Sequence, residues 1–204
     1  VATYAAGSNG AGSSASATYY AIEVGGVSRL YGANSNGDAS SSTAAPPAHR
    51  FGYMGDIDPA TITSKTVGLQ FLNESKGSNL YGVSEEGQFF RIVKKNHGGS
   101  TGPRTNVQVA DVVDFGTILN GRELGGLATG PVNLEGGRFA GTFFAVTTHG
   151  ELFCIDPTGG AGGEAVIVDN VFDSDGDGIA DSWISNPTGN GVRGLAFSPL
   201  DVNL

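Results

Sequence analysis

The sequence of 204 residues has a single cysteine, Cys154, so it cannot form an intrachain disulfide. Basic residues are also few: 11 against 20 acidic residues, which gives a formal net charge of −9. This balance argues against nucleic acid and anionic membrane surfaces as partners, because both require a basic footprint. No apolar run approaches the roughly 18 residues of a membrane span, so we expect no membrane insertion. The acidic excess suits a protein that binds cations.

The sequence also lacks helical periodicity, since apolar residues nowhere recur with a sustained period of 3.6. Glycine, in contrast, is abundant at 34 of 204 residues. With frequent Ser, Thr, Asn and Asp, this composition is typical of many turns between short strands. The sequence therefore predicts an all-β fold.

An internal repeat defines that fold further. Residues 79–93 and 142–156 align over fifteen residues without a gap, at an offset of 63. Apolar positions stay apolar, and the glycine between two aromatic, β-branched stretches is kept as Gly87 and Gly150. Each segment is therefore predicted to be a hairpin whose turn glycine adopts positive φ. A fainter copy of this hairpin spans residues 18–31.

A second marker, a Gly-Leu pair, precedes each hairpin or the place for one. It occurs at residues 68–71, 126–129 and 194–197. Further β-like stretches follow the hairpins at residues 51–57, 107–115 and 165–172. The repeating unit is then strand, strand, tight turn, strand, longer loop, strand, and four antiparallel strands per repeat are typical of a β-propeller blade.

The Gly-Leu strand, the hairpin of residues 79–93 and the Gly-Leu-Ala-Phe-Ser-Pro segment at 194–199 resemble blades of bacterial WD-like β-propellers, which occur in large secreted or surface proteins. The resemblance implies one propeller-like domain over residues 1–204. Its approximate blades are 1–60, 61–120 and 121–172, with the start of another at 193–204. Three blades do not close a ring of 4–8. The chain is therefore expected to be a fragment of a longer protein, part of a ring completed by other subunits, or a less regular stack of sheets.

Residues 173–181 carry the strongest chemical signal in the chain. Their acidic side chains fall at positions 1, 3, 5 and 9 of a calcium loop, as Asp173, Asp175, Asp177 and Asp181, and Gly178 stands at position 6. Four carboxylates this close repel one another, and Ca²⁺ prefers about 6–8 oxygen ligands. The pattern predicts a calcium site in residues 173–192, an insertion between two blades.

This run is similar to thrombospondin type 3-like repeats and to dockerin or EF-hand loops. The resemblance implies side-chain ligation by Asp173, Asp175 and Asp177, a backbone carbonyl ligand from Ile179, and Asp181 binding directly or through water. An EF-hand has a bidentate glutamate at position 12, where this chain has Ile184. We therefore expect a weak affinity of roughly 10⁻⁴–10⁻³ M and a structural role in an extracellular setting.

Other candidate chemistry is sparse. His49, His97 and His149 are isolated, and no spacing supports a zinc site. The neighbouring carboxylates Glu85 and Glu86 are predicted to diverge into solvent from a hairpin turn. Cys154 lies between apolar neighbours and is predicted to be a buried, inert thiol.

The function expected from these patterns is that of a secreted, calcium-binding structural or adhesive propeller segment at a bacterial cell surface. Its partners would be other blades or subunits of the assembly, carbohydrate or a surface protein. The alternative is a polysaccharide-active hydrolase or lyase, or a carbohydrate- or protein-binding module. No residue pattern predicts a catalytic group, so the chain is expected not to be an enzyme.

Overall fold

A computed structural model describes residues 2–8, 16–34, 52–74, 77–94, 107–131, 134–157, 164–170 and 192–196. In these ranges the chain is all-β, which confirms that part of the sequence prediction. Twelve strands in the described residues form three antiparallel sheets of four strands each. Helix within the described residues is limited to α1 (Gly116–Leu119) and a 3₁₀ turn at Leu134–Gly137.

Each sheet is formed by four strands that are consecutive in sequence and adjacent in space. Sheet I contains β1 (Ala2–Ser8), β2 (Ser16–Val24), β3 (Val27–Asn34) and β4 (Gly52–Asp56). Sheet II contains β5 (Thr66–Glu74), β6 (Gly77–Ser84), β7 (Gln88–Lys94) and β8 (Gln108–Asp114). Sheet III contains β9 (Leu124–Thr129), β10 (Phe143–Thr147), β11 (Glu151–Asp156) and β12 (Glu164–Asn170). The first strands β1, β5 and β9 bring the sheets together, because β5 lies close to both β1 and β9.

The predicted hairpins form where the repeat places them. In sheets II and III the turns end at Gly87 and Gly150, whose φ angles of 96° and 93° are in the region that favours glycine. The fainter copy in sheet I forms β2 and β3 around a two-residue turn at Gly25 and Gly26. Its shorter turn fits the direct pairing of Val24 with Val27.

One apolar core fills the space between sheets I and II. Its largest fully buried members include Leu30 from sheet I, and Leu69, Leu80 and Phe90 from sheet II. Gly82 lies beneath the ring of Phe90, since a β-carbon there would come within 2.6 Å of the ring edge. Burial of such side chains stabilises a fold by about 1.5–3 kcal/mol each.

A second core joins sheets II and III, and aromatic rings dominate it. The Tyr81 ring centroid lies 4.9 Å from that of Phe143, and the Phe89 centroid lies 5.4 Å from Phe143. Phe115, which precedes α1, extends the group at 6.5 Å from Phe89. Sheet II thus contributes buried side chains to both cores, because successive side chains along its strands point to opposite faces.

Residues 192–196 follow a stretch outside the described residues and lie against sheet III. The Val192 amide donates to the Thr148 carbonyl at 3.1 Å. The sequence predicts a strand from Gly194 to Phe197, but in the described part, which stops at Ala196, this segment pairs with no strand. Residues 192–196 lie beside β9, and this contact is part of the candidate site.

Candidate functional site

The hairpin turns of sheets II and III (residues 84–87 and 147–150) lie at one end of the sheets, here called the turn end. In each turn a buried hydroxyl caps the following strand. The Ser84 hydroxyl accepts a hydrogen bond from the Gln88 amide at 3.0 Å, and the Thr147 hydroxyl accepts one from the Glu151 amide at 3.1 Å. Both side chains are fully buried, so these bonds satisfy backbone groups that water cannot reach.

The turn of sheet II connects two successive first strands. The Glu85 amide donates to the carbonyl of Lys65, the residue before β5, at 2.7 Å. The Glu85 carbonyl accepts from the amide of Leu124, the first residue of β9, at 2.8 Å. One turn residue therefore fixes the start of its own sheet and of the next.

The turn of sheet III repeats this arrangement. Thr148, at an offset of 63 from Glu85, donates its amide to the Glu123 carbonyl at 2.7 Å. Its carbonyl accepts from the Val192 amide at 3.1 Å. Val192 consequently occupies the place that Leu124 has one repeat earlier, which makes residues 192–196 equivalent to the beginning of a first strand.

The Gly-Leu marker explains how closely these first strands approach. A β-carbon on Gly68 would lie 2.5 Å from the Leu127 β-carbon and 2.8 Å from the Leu127 nitrogen. A β-carbon on Gly126 would lie 2.9 Å from both the Gly194 α-carbon and the Leu195 nitrogen. Gly68 and Gly126 thus each contact the marker of the following repeat at a distance that only glycine permits.

Charged side chains converge at the turn end and pair with one another. Glu85 lies between two cations, with Lys65 Nζ at 2.6 Å and an Arg193 guanidinium nitrogen at 3.5 Å from its Oε1. Arg122, in the connection to β9, is paired with Glu151. The Glu85 and Lys65 side chains are only 20% and 21% exposed, so this pair is partly shielded from water.

Glu85 therefore does not extend into solvent as the sequence predicts for a turn carboxylate. The prediction was wrong because the partners of Glu85 come from the connection before β5 and from the next-but-one repeat, both distant in sequence. Glu86 is exposed as expected. His149 is exposed in the second turn, and its ring contacts the Thr148 hydroxyl at 3.3 Å.

The predicted calcium ligands Asp173, Asp175, Asp177, Ile179 and Asp181 lie outside the described residues, as do His49 and His97. Among the residues that are described, no group of three or more His, Cys, Asp or Glu side chains could hold a metal ion.

Cys154 is half-buried and unpaired in β11, opposite Phe144. Burial is the largest cause of a raised pKa of its thiol, opposed in part by a hydrogen bond with Thr142. The thiol is thus protonated at neutral pH, although it is less buried than the sequence suggests.

Comparison of the chain with protein-family models, curated proteins and solved structures finds no match. Across the described ranges, no helix has the length and apolar character needed to cross a membrane.

Proposed function

We propose that this chain is a structural segment of β-propeller-like blades, stiffened by calcium and working in an extracellular or cell-surface assembly. Three meandering four-stranded sheets, joined through their first strands, support the blade-like arrangement. It is part of the proposal that such blades belong to a ring, and that other blades or subunits complete this ring.

One observation carries this proposal: the recurring hydrogen bond between a hairpin turn and the next first strand. Leu124 donates to Glu85, and Val192 donates to Thr148 in the same way. Repeats that contact mainly their neighbours through such constant bonds form a rigid scaffold whose stability is the sum of units and interfaces. A protein of this kind presents loops at fixed positions, which suits a structural or adhesive role.

The ion pairs at the turn end also favour a structural role over catalysis. Catalytic carboxylates act on a substrate and must be accessible to it. Glu85 instead bridges Lys65 and Arg193, and so ties the connection before β5 to the segment after sheet III.

The lengths of the connections between sheets support a calcium loop after sheet III. Residues 57–65 join sheet I to sheet II and residues 115–123 join sheet II to sheet III, nine residues in each case. Residues 171–191, between β12 and Val192, number 21, which is twelve more. Twelve residues is the length of an EF-hand loop, and the aspartate run lies within this longer connection.

Carboxylate oxygens are the ligands that Ca²⁺ prefers, so the donor set fits the metal. Asp173, Asp175, Asp177 and Asp181, with the Ile179 carbonyl, would hold the ion, which would neutralise their repulsion. A weak site of roughly 10⁻⁴–10⁻³ M is filled at extracellular calcium concentrations, which is why we place the protein outside the cell.

Calcium titration calorimetry, combined with thermal unfolding in calcium and in excess chelator, tests this function. We expect saturable binding and a higher melting temperature with calcium. Both effects should be lost in a double variant, Asp175→Asn with Asp177→Asn. The control, Asp38→Asn with Asp201→Asn, makes the same change in charge away from the run. Melting that is unchanged by excess chelator would contradict the proposal.

A further inference from the structure

Residues 192–196 occupy the position of a first strand but are much more exposed than the two first strands they match. The glycines of the earlier markers, Gly68 and Gly126, are buried, whereas Gly194 is exposed. The leucines that follow them, Leu69 and Leu127, are 2% and 5% exposed. Leu195, in the same place, is only half-buried.

Leu69 and Gly68 are shielded from solvent in part by β6, the second strand of their sheet. In sheet II, Gly68 pairs with Val83 and Leu69 pairs with Gly82. A small residue opposite the leucine leaves room for its side chain, and the valine covers the glycine.

Sheet III shows the same pairs: Gly126 with Val146, and Leu127 with Ala145. The second strands share one pattern: two apolar or aromatic residues, a small residue, valine, then Ser or Thr. They read Leu80-Tyr-Gly-Val-Ser84 and Phe143-Phe-Ala-Val-Thr147.

Open space beside Gly194 is the second observation that points to a missing neighbour. A β-carbon on Gly194 would have no heavy atom of the described residues within 4 Å, although the same addition to Gly68 or Gly126 would collide with the next repeat. The segment is nevertheless held in place, because the Val192 amide bonds to Thr148 and Arg193 pairs with Glu85.

We infer that residues 192–196 form a docking edge for an incoming β-strand with the pattern apolar, aromatic, Gly or Ala, Val, Ser or Thr. The strand adds to this edge as β6 adds to β5 and β10 adds to β9, with its valine opposite Gly194 and its small residue opposite Leu195. Main-chain hydrogen bonds supply the affinity of such strand addition, and the side-chain pattern supplies the specificity. This inference rests on the repeat architecture of the proposed function and gives the chemistry of its partner.

A synthetic peptide with the sequence of residues 78–93, which carries this pattern, is the probe. It is titrated into the full chain, and binding is followed by fluorescence anisotropy and by amide hydrogen exchange. We expect saturable binding with new protection at residues 193–196. A peptide with Val83→Asp, and the full chain with Leu195→Asp, should each bind roughly tenfold more weakly or worse. The chain with Val24→Asp, at an exposed valine of sheet I, should bind the probe as the unchanged chain does.

Three results would overturn the inference: protection that appears only elsewhere in the chain, equal binding by the Leu195→Asp chain, or amides at 193–196 that are already protected without peptide. The last result would mean that another part of this chain covers the edge. Calcium-dependent melting is measured without peptide, so failure of the docking edge and failure of the proposed function are separate outcomes.

Discussion

Gly126 and Gly194 lie in direct backbone contact, so that a β-carbon on Gly126 would come within 2.9 Å of the Gly194 α-carbon. The two residues belong to successive Gly-Leu markers, 68 residues apart. The same relationship joins Gly68 to Leu127. The marker is therefore a packing requirement of adjacent first strands.

Alanine substitutions at these two glycines should have different effects on stability. Gly126→Ala places a methyl group against backbone atoms, which cannot move aside as the end of a flexible side chain can, and should lower the free energy of unfolding by about 1–3 kcal/mol. Gly194→Ala places its methyl group in open space and should leave stability unchanged or raise it slightly, because alanine restricts the unfolded chain. Urea denaturation of both variants measures the difference. Equal destabilisation would contradict the close approach.

The adjacent acids Glu85 and Glu86 provide a second matched pair. Glu85→Gln removes the partner of Lys65 and Arg193 and should cost about 1 kcal/mol in low salt, with a smaller cost in high salt because ions screen the pairs. Glu86→Gln, in the same turn but exposed, should have little effect. Chemical denaturation at two salt concentrations checks this. A larger effect at Glu86 would show that the turn is oriented differently.

Cys154 should react slowly with thiol reagents in the folded chain. Burial raises the pKa of its thiol above the usual 9.0, so the reactive thiolate forms only at higher pH. We expect the alkylation rate of the folded chain to increase most steeply at a pH above 9.0. Below that pH, the chain unfolded in urea should be alkylated faster than the folded chain. Stability contributed by this neutral thiol should be complete at low pH and decrease as the pH rises through the folded pKa. Equal alkylation rates in folded and unfolded chains would contradict its partial burial.

Local patterns predicted the strands well, because their signals lie within a few residues. Gly87 and Gly150 marked both turns, and aromatic and β-branched residues marked β6, β7, β10 and β11. The docking of one repeat on the next was not predictable, since it depends on contacts between distant residues. Arg193 lies 108 positions from Glu85, and no local pattern indicates that the two would pair.

The marker glycines also show that contacts between distant residues could not be predicted from the sequence. Their recurrence was visible in the sequence, but the reason for it was not, because Gly126 and Gly194 approach only once both repeats are folded. The aspartate run, in contrast, predicts a calcium site from the sequence alone. The fold adds that the connection containing this run is longer than the two nine-residue connections between the other sheets.

The contact between the first strand of sheet III and residues 192–196 joins the last two repeats, and nuclear Overhauser spectroscopy of the labelled chain can detect this contact. We expect a cross-peak between α-protons of Gly126 and Gly194, and protection of the Val192 amide from hydrogen exchange. The absence of that cross-peak in a folded chain, together with rapid exchange at Val192, would contradict it.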